Sequence, residues 1–460
     1  MFDINREHPE YKAWKAIWPK YRDLYSGGEQ FQANAGEYLI RRQKEPPDVY
    51  GERVGQVFYE NYLGSIVDWY AATLFRREPI LTYQGTDDAA RRFFNTFSED
   101  CDLRGSTLSD FFRRQVIEAM VMGRSYIVVD FPRSSKALGT RAEEELQGVS
   151  RGYLCDYPAQ SLIHWQRDSR GEFEWAVLRS ERLVTAGPDG GEERKERTWV
   201  KYDRQRFAVY RQMEQDNKAT EPVLIDEGLH ALAKLGQVPV FEFSLGDGMW
   251  LVNKAASLQL EHFNKSNALS WAMTMGLFAM PVIYSAKDFK AMLGESYYLQ
   301  LDPTDRFGWT EPEGRVFEIA MKNIDRLKDE IYRVCYLMNQ AGGSLSKTSA
   351  VTGLSKQRDY LITQEVLRGF GDRVKDVLKR LLKILAAARQ DEIQVDVSGL
   401  DEFDIGEFGN ELDDAQKLLG MGIPSKTLQS QVHKKLATKY LCDASQELKD
   451  RIAQEIDAGL

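Results

Sequence analysis

With 460 residues the chain is long enough for two or three domains and a substantial core, and its 43% hydrophobic and 28% charged content is ordinary for a soluble globular protein. A net charge of −9 and a pI of about 5.4 argue against a protein that holds nucleic acid by gripping its phosphates, which needs clustered Lys and Arg. They do not argue against a surface past which DNA slides without sticking.

Residues 5–35 read as an amphipathic helical segment through Tyr11, Trp14, Ile17, Trp18, Tyr21 and Leu24, ending at Gly27-Gly28. Tyr38 to Pro47 reads as an exposed linker stopped by two prolines. A helix is expected from Arg53 to Leu74, with Val54, Phe58, Tyr62, Ile66, Trp69 and Thr73 on one face. Asp87–Phe97 and Leu108–Met122 read as two more. Gly123 closes the second, and Tyr126 to Pro132 follows as a buried strand. From Tyr153 to Phe243 the period falls to two. Ser161–Gln166 and Glu174–Arg179 flank the turn Asp168-Ser-Arg-Gly171, and Arg197–Tyr202 faces Arg206–Tyr210. Gln237–Phe243 is the last strand before a helix from about Leu251 to Phe278. Pro281–Pro312 is mixed and rich in turns.

Two long helices follow. Phe317, Ala320, Ile324, Leu327, Ile331, Val334 and Met338 recur at steps of three and four, and no Gly or Pro interrupts Arg315–Gln340. Val366, Phe370, Val374, Val377, Leu381 and Leu385 repeat the design, with Gly369 and Gly371 expected to mark a bend. Between the two, Ala341–Ser355 holds three Gly and six Ser/Thr, a composition that sustains no helix. Asp391–Asp414 then carries ten acids and no base, either a solvated linker or part of a negative surface. The end returns to helices: Leu412–Leu419, a break at Gly420–Pro424, Ser425 as a cap, and a last helix from Asp443 onward.

No catalytic constellation emerges. The sequence has no GxGxxG, GxxxxGK[ST], GxSxG or HExxH pattern. Four cysteines without ligand spacing read as free thiols, and five scattered histidines give no zinc pattern. His164 and His262 sit in apolar contexts that suit hydrogen-bonded core positions. The longest apolar run, Ala268–Tyr284, is short for a membrane span, and the first residues give no expectation of export. The expectation is a chain with no cofactor, no metal and no activity of its own.

The order of parts resembles one family, the portal proteins (head-tail connectors) of tailed bacteriophages. The stretches that carry it are Tyr38 to Pro46 through Asn61 to Asp68, Phe75-Arg-Arg-Glu-Pro79, Gly123 to Pro132 and Tyr157 to Trp165. Gly236 to Val240, Gly343 to Gly353 and Glu411 to Ser425 continue it in the family's order. The resemblance implies an α+β, mainly helical, portal-type fold with wing, stem, clip and crown, assembling into a ring usually of twelve subunits.

Carried onto this chain, residues 1–245 would be the wing, 246–279 the first stem helix and 280–316 the clip. Residues 317–340 would be the second stem helix, 341–355 the tunnel loop, 356–391 the long wing helix and 392–460 the crown. The ring would sit at one vertex of the virion's capsid, after synthesis in the host cytoplasm. It would pass double-stranded DNA during packaging and ejection, and meet the terminase large subunit, a head-tail adaptor, the major capsid protein and the scaffolding protein, with no membrane contact. Gly342, Gly343, Ser344, Lys347, Thr348, Thr352, Lys356 and Arg358 would face the DNA channel. Ile324, Leu327 and Ile331 are expected at the subunit interface. A helical scaffold without enzymatic activity is the other class considered; it explains the stripes but not the β-rich middle.

Overall fold

The computed structural model describes residues 3–85, 87–133, 148–186, 192–215, 218–246, 248–277, 280–284, 304, 306–310, 314–337, 353–400, 403, 408–441 and 446–459. The N-terminal helical segment is four short helices, α1 (Pro9–Lys15), α2 (Trp18–Ser26), α3 (Gly28–Ala33) and α4 (Ala35–Tyr38). Asp23 is the polar centre of this corner: its buried carboxylate accepts from Gln30, Asn34 and the Tyr38 hydroxyl at 2.6–2.9 Å. Burial and that carboxylate together hold the Tyr38 phenol far above its usual range.

The expected helix over Arg53–Leu74 is two, α5 (Pro47–Gly55) and α6 (Tyr62–Leu74). Residues 56–61 leave helical geometry because Asn61 serves α6 as a cap, its Oδ1 accepting from the Gly64 N–H at 2.8 Å. Strand β1 (Ile80–Gln84) comes next. Then α7 (Asp88–Glu99) and α8 (Leu108–Met122) start at the caps Asp87 and Thr107. Gly123 ends α8 in left-handed backbone, with φ 87°.

The β-rich middle holds β2 (Ser125–Asp130), β3 (Tyr153–Pro158), β4 (Leu162–Arg167), β5 (Phe173–Ala186) and β6 (Glu192–Asp203). It goes on with β7 (Arg206–Gln215), β8 (Lys218–Ala219), β9 (Val223–Leu229) and β10 (Val240–Phe243). Antiparallel pairing runs β4-β5-β6-β7, with β8 and β9 both on β7; β10, β2 and β3 form a separate three-stranded sheet. Beyond the body the long β5-β6-β7 strands are held by crossed charges. Glu181 bridges Lys195 and Arg197, and Arg197 reaches Glu214.

The rest is α9 (Leu251–Leu277), β11 (Met280–Tyr284), β12 (Arg306–Thr310), α10 (Gly314–Val334) and α11 (Gly353–Arg389). Strand β13 (Gln394–Ser398) and helices α12 (Phe408–Gly420), α13 (Lys426–Tyr440) and α14 (Gln446–Gly459) finish the chain. The fold is thus α+β with a helical majority. None of the described helices is long and apolar enough to cross a membrane.

The core lies where α2, α6, α8 and the first half of α9 meet α11. Trp18, Tyr70, Phe111, Phe112, Phe263 and Phe370 are all fully buried there. The Trp18 and Trp250 indoles donate to the carbonyls of Met122 and Val121 at the end of α8, so both aromatics fill space without stranding a polar atom. Burial also pushes the Cys335 and Cys155 thiols up to about 12, which leaves them protonated and unreactive at neutral pH.

Part of the acidic block is structural. Within residues 391–414, β13 pairs antiparallel with β1, placing Ile80 opposite Ser398. Asp396 accepts from Lys379 of α11 at 2.8 Å, which holds its carboxyl below the usual range. Asp391 is buried against Arg389 at 2.8 Å, and that guanidinium lies over the Phe93 ring. These acids answer bases of the long helix rather than forming a free tail.

Candidate functional site

The region of interest is the arm made by α9, the β11–β12 pair and α10. Helix α9 has 27 residues, about 40 Å at 1.5 Å each, and α10 packs along it. The first half of α9 belongs to the core, and its polar face is occupied by backbone partners. Asn264 accepts from the Ile40 N–H at 2.8 Å and donates to the Tyr38 carbonyl at 3.1 Å. Asn267 does the same for Phe58, at 3.0 and 2.9 Å, and Gln259 donates to the Glu60 carbonyl at 2.8 Å. The irregular stretches on either side of α5, around residues 38–40 and 58–60, are fastened to α9 by side-chain amides. Asn267→Ala is therefore expected to cost about 1–2 kcal/mol, read as a lower urea midpoint at unchanged slope.

His262 sits on the same helix, buried and edge-on to Tyr62, with Nδ1 3.3 Å from the Ser266 hydroxyl. Its Nε2 is 3.4 Å from Glu60. Burial lowers its pKa more than the Glu60 carboxylate raises it, so the ring is neutral at pH 7 and acts as a packing group.

Beyond the core the arm changes character. Strand β11 pairs antiparallel with β12, Met280 opposite Thr310 and Tyr284 opposite Arg306. Along α10 the apolar residues divide into a covered set and an exposed set. Leu327 is 3% exposed and Ile331 is 0% exposed, both covered by the chain itself, whereas Val316 is 62% and Ile319 59% exposed. Ile324 lies between these extremes, and Met321 and Met273 are also exposed.

Of the residues expected at the subunit interface, Leu327 and Ile331 are covered within the single chain and Ile324 is half-buried. Leu327 and Ile331 are core residues of the single chain, packed towards α9 and α6, because the helix lies in the body at that end. The exposed residues Val316 and Ile319 lie about two to four turns earlier. Periodicity had shown that a face is covered, not what covers it.

Of the expected channel residues, Gly342, Gly343, Ser344, Lys347, Thr348 and Thr352 lie outside the described residues. Lys356 and Arg358 fall in the first turns of α11, which begins at Gly353, and their side chains are likewise outside. Helix α10 stops at Val334, short of the expected Gln340, and the chain turns at Tyr336.

A cleft of about 550 Å³ opens between α11, β10 and the β4–β5 turn. Arg124, Arg167, Arg373 and Arg380 line it together with Glu10, Glu172, Glu242 and Asp376, so four bases meet four acids. Arg167 pairs with Glu242, Arg380 pairs with Glu172, and Arg373 donates to the Ser244 carbonyl at 3.3 Å. Neither Cys nor His lies in its wall. Mutual pairing leaves it no strong field for an ionic ligand, and its role is to tie the β-rich part to the long helix. No group of His, Cys, Asp and Glu among the described residues is arranged to hold a metal ion.

No protein-family model matches the chain, and no curated protein does. Among solved structures it is similar to a chain of the neck of an empty gene transfer agent (GTA) particle computed with C6 symmetry. That match has 13% identity and a TM-score of 0.41, covering 81% of this chain and 90% of the other. A chain of the native gene transfer agent virion matches at 11% identity and TM-score 0.36, covering 78% and 86%. A chain of the native particle's neck computed with C12 symmetry matches at 10% identity and TM-score 0.39, covering 79% and 87%.

Proposed function

We propose that the chain is a portal protein, a ring-forming conduit for DNA at one vertex of a phage-type head. The observation that carries the reading is the division of α10's apolar residues into a covered set and an exposed set. Two β-branched side chains and two methionines stand open on a helical arm whose other half is fully packed. Apolar side chains left this open are a cost in water and are covered most simply by a surface of a second copy. A heterologous contact, in which this surface meets a different one on the next copy, gives a ring when its rotation closes. The ordered family-like stretches support the same reading, with residues 280–316 at the tip as the docking surface for terminase and then for an adaptor. A chain with net charge −9 suits a channel that DNA traverses without binding.

Electron microscopy of the purified protein tests it: rings with a central hole are expected, and monomers or rods across micromolar concentrations overturn it. The segment 341–355, of which 341–352 lies outside the described residues and 353–355 opens α11, is proposed as the part that meets DNA. Lys347, Lys356 and Arg358 would repeat around an otherwise acidic bore and give weak, salt-sensitive phosphate contacts. Lys347→Glu is expected to leave ring assembly intact while lowering packaged or retained DNA in a packaging assay. Normal packaging by that variant removes the channel assignment and leaves a surface turn.

A further inference from the structure

The end of α10 is built in a way that ending a helix does not require. The Leu337 N–H donates to the Tyr332 carbonyl at 2.9 Å and the Tyr336 N–H to the Arg333 carbonyl at 3.1 Å. This is the paired-bond helix stop whose left-handed residue is most often glycine. Here that residue is Tyr336, with φ 62°. A side chain crowds that conformation, so a tyrosine persists in it only where its surroundings hold it.

Three helices do so. Lys254 of α9 donates from Nζ to the Tyr336 hydroxyl at 2.6 Å and lies over the same ring, 4.6 Å from its centre. Thr363 of α11 donates from Oγ1 to the Tyr336 carbonyl at 2.6 Å. The Tyr70 hydroxyl of α6 donates to the Cys335 carbonyl at 2.6 Å. Cys335 and Leu337, on either side, are buried. A glycine would end the helix without strain. What tyrosine adds is the ring and hydroxyl by which α9 reaches the junction.

We propose that Tyr336 is a positioning residue: clamped by Lys254, Thr363 and the Tyr70-bonded carbonyl of Cys335, it fixes the position and direction of the chain at 335–337, from which residues 338–352 follow. The clamp rests on geometry alone. Its use, to hold the root of a segment that meets DNA, rests on the conduit reading above.

Cys335 supplies an internal reporter, since a thiol so buried alkylates only when the junction opens. The test compares Tyr336→Gly, Tyr336→Phe and wild type as full-length assembled protein. It uses hydrogen exchange over 331–363, alkylation of Cys335 mapped by mass spectrometry, and DNA retention. Tyr336→Gly is expected to keep a similar Tm, relief of strain offsetting lost contacts. Exchange at 335–337 and Cys335 alkylation should each rise about tenfold, the effect of losing roughly one hydrogen bond, and DNA retention should fall. Tyr336→Phe should move all three less, in the same direction. Should Tyr336→Gly fail to fold, Lys254→Met gives the same readout with the backbone untouched.

Wild-type exchange and alkylation in these variants would make Tyr336 a helix stop and nothing more. A loosened junction with unchanged retention would equally overturn the positioning role. The conduit reading is judged apart from both, by whether wild-type rings form.

Discussion

Gly371→Ala is expected to destabilise the chain by roughly 3 kcal/mol or more, while Gly369→Ala, two residues away, is expected to be neutral or stabilising by about 0.5–1 kcal/mol. Both glycines lie inside α11, where propensity alone favours alanine at either site. The difference is what a methyl group would meet. At 371 a Cβ would stand 1.9 Å from the Leu400 carbonyl oxygen and 3.0 Å from its carbon, both backbone atoms. At 369 its nearest neighbour is the Met249 methyl at 3.9 Å, an ordinary contact. Leu400 has no easy retreat: it follows Gly399, both are in left-handed backbone, and its own side chain is buried. Alanine at 371 must push that turn off the helix and disturb the β1–β13 pair leading into it. Urea denaturation of the two variants checks this. Equal midpoints would mean that the 399–400 turn yields freely and that the close approach stabilises little.

That pair of glycines also shows how the sequence was legible and where it was not. Their helix-weakening composition predicted a bend; the structure uses one of them to let another segment approach. Local signals carried well: α8 has the expected bounds Leu108–Met122, and Ser425 caps α13 through the Leu428 N–H. The β4–β5 turn falls on Asp168-Ser-Arg-Gly171, as the turn residues dictate. What failed was information stored at long range. Strands β1 and β13 are short and half exposed, and each is defined only by the other, some three hundred residues away in the chain. The break at 56–61 was hidden because Val54, Phe58 and Tyr62 keep helical spacing across it. Nothing local to Asn264 and Asn267 says that their amides satisfy the backbone at 40 and 58. The stop at Tyr336 lacks the glycine that marks most such ends. In the candidate site, the arm was legible as a helix from about Leu251, a turn-rich segment and a striped helix from Phe317. The partition of that last helix's apolar residues between core and surface was not.

That partition leads to the second large effect. Ile331→Asp is expected to destabilise the single chain by about 4 kcal/mol or more, because it puts an unpaired carboxylate where the isoleucine is fully buried. It should fail in expression or melt early, whatever the oligomeric state. Ile319→Asp, three turns nearer the start of the same helix, replaces a residue already mostly in water, so the chain's own stability should change by no more than about 0.5 kcal/mol. Its effect should fall on assembly. Repeated around a ring, one carboxylate per interface removes apolar area and sets a charge into every contact between copies, which shifts the balance towards monomers. Native mass spectrometry and electron microscopy of Ile319→Asp read this directly, with circular dichroism to show that the subunit is folded. Val316→Asp, one turn earlier, should behave the same way. Folded Ile319→Asp and Val316→Asp proteins that assemble like wild type would mean that the exposed set is not where copies meet. A destabilised Ile319→Asp would mean that this set too is covered within the chain, and the reason for expecting a second copy there would be gone.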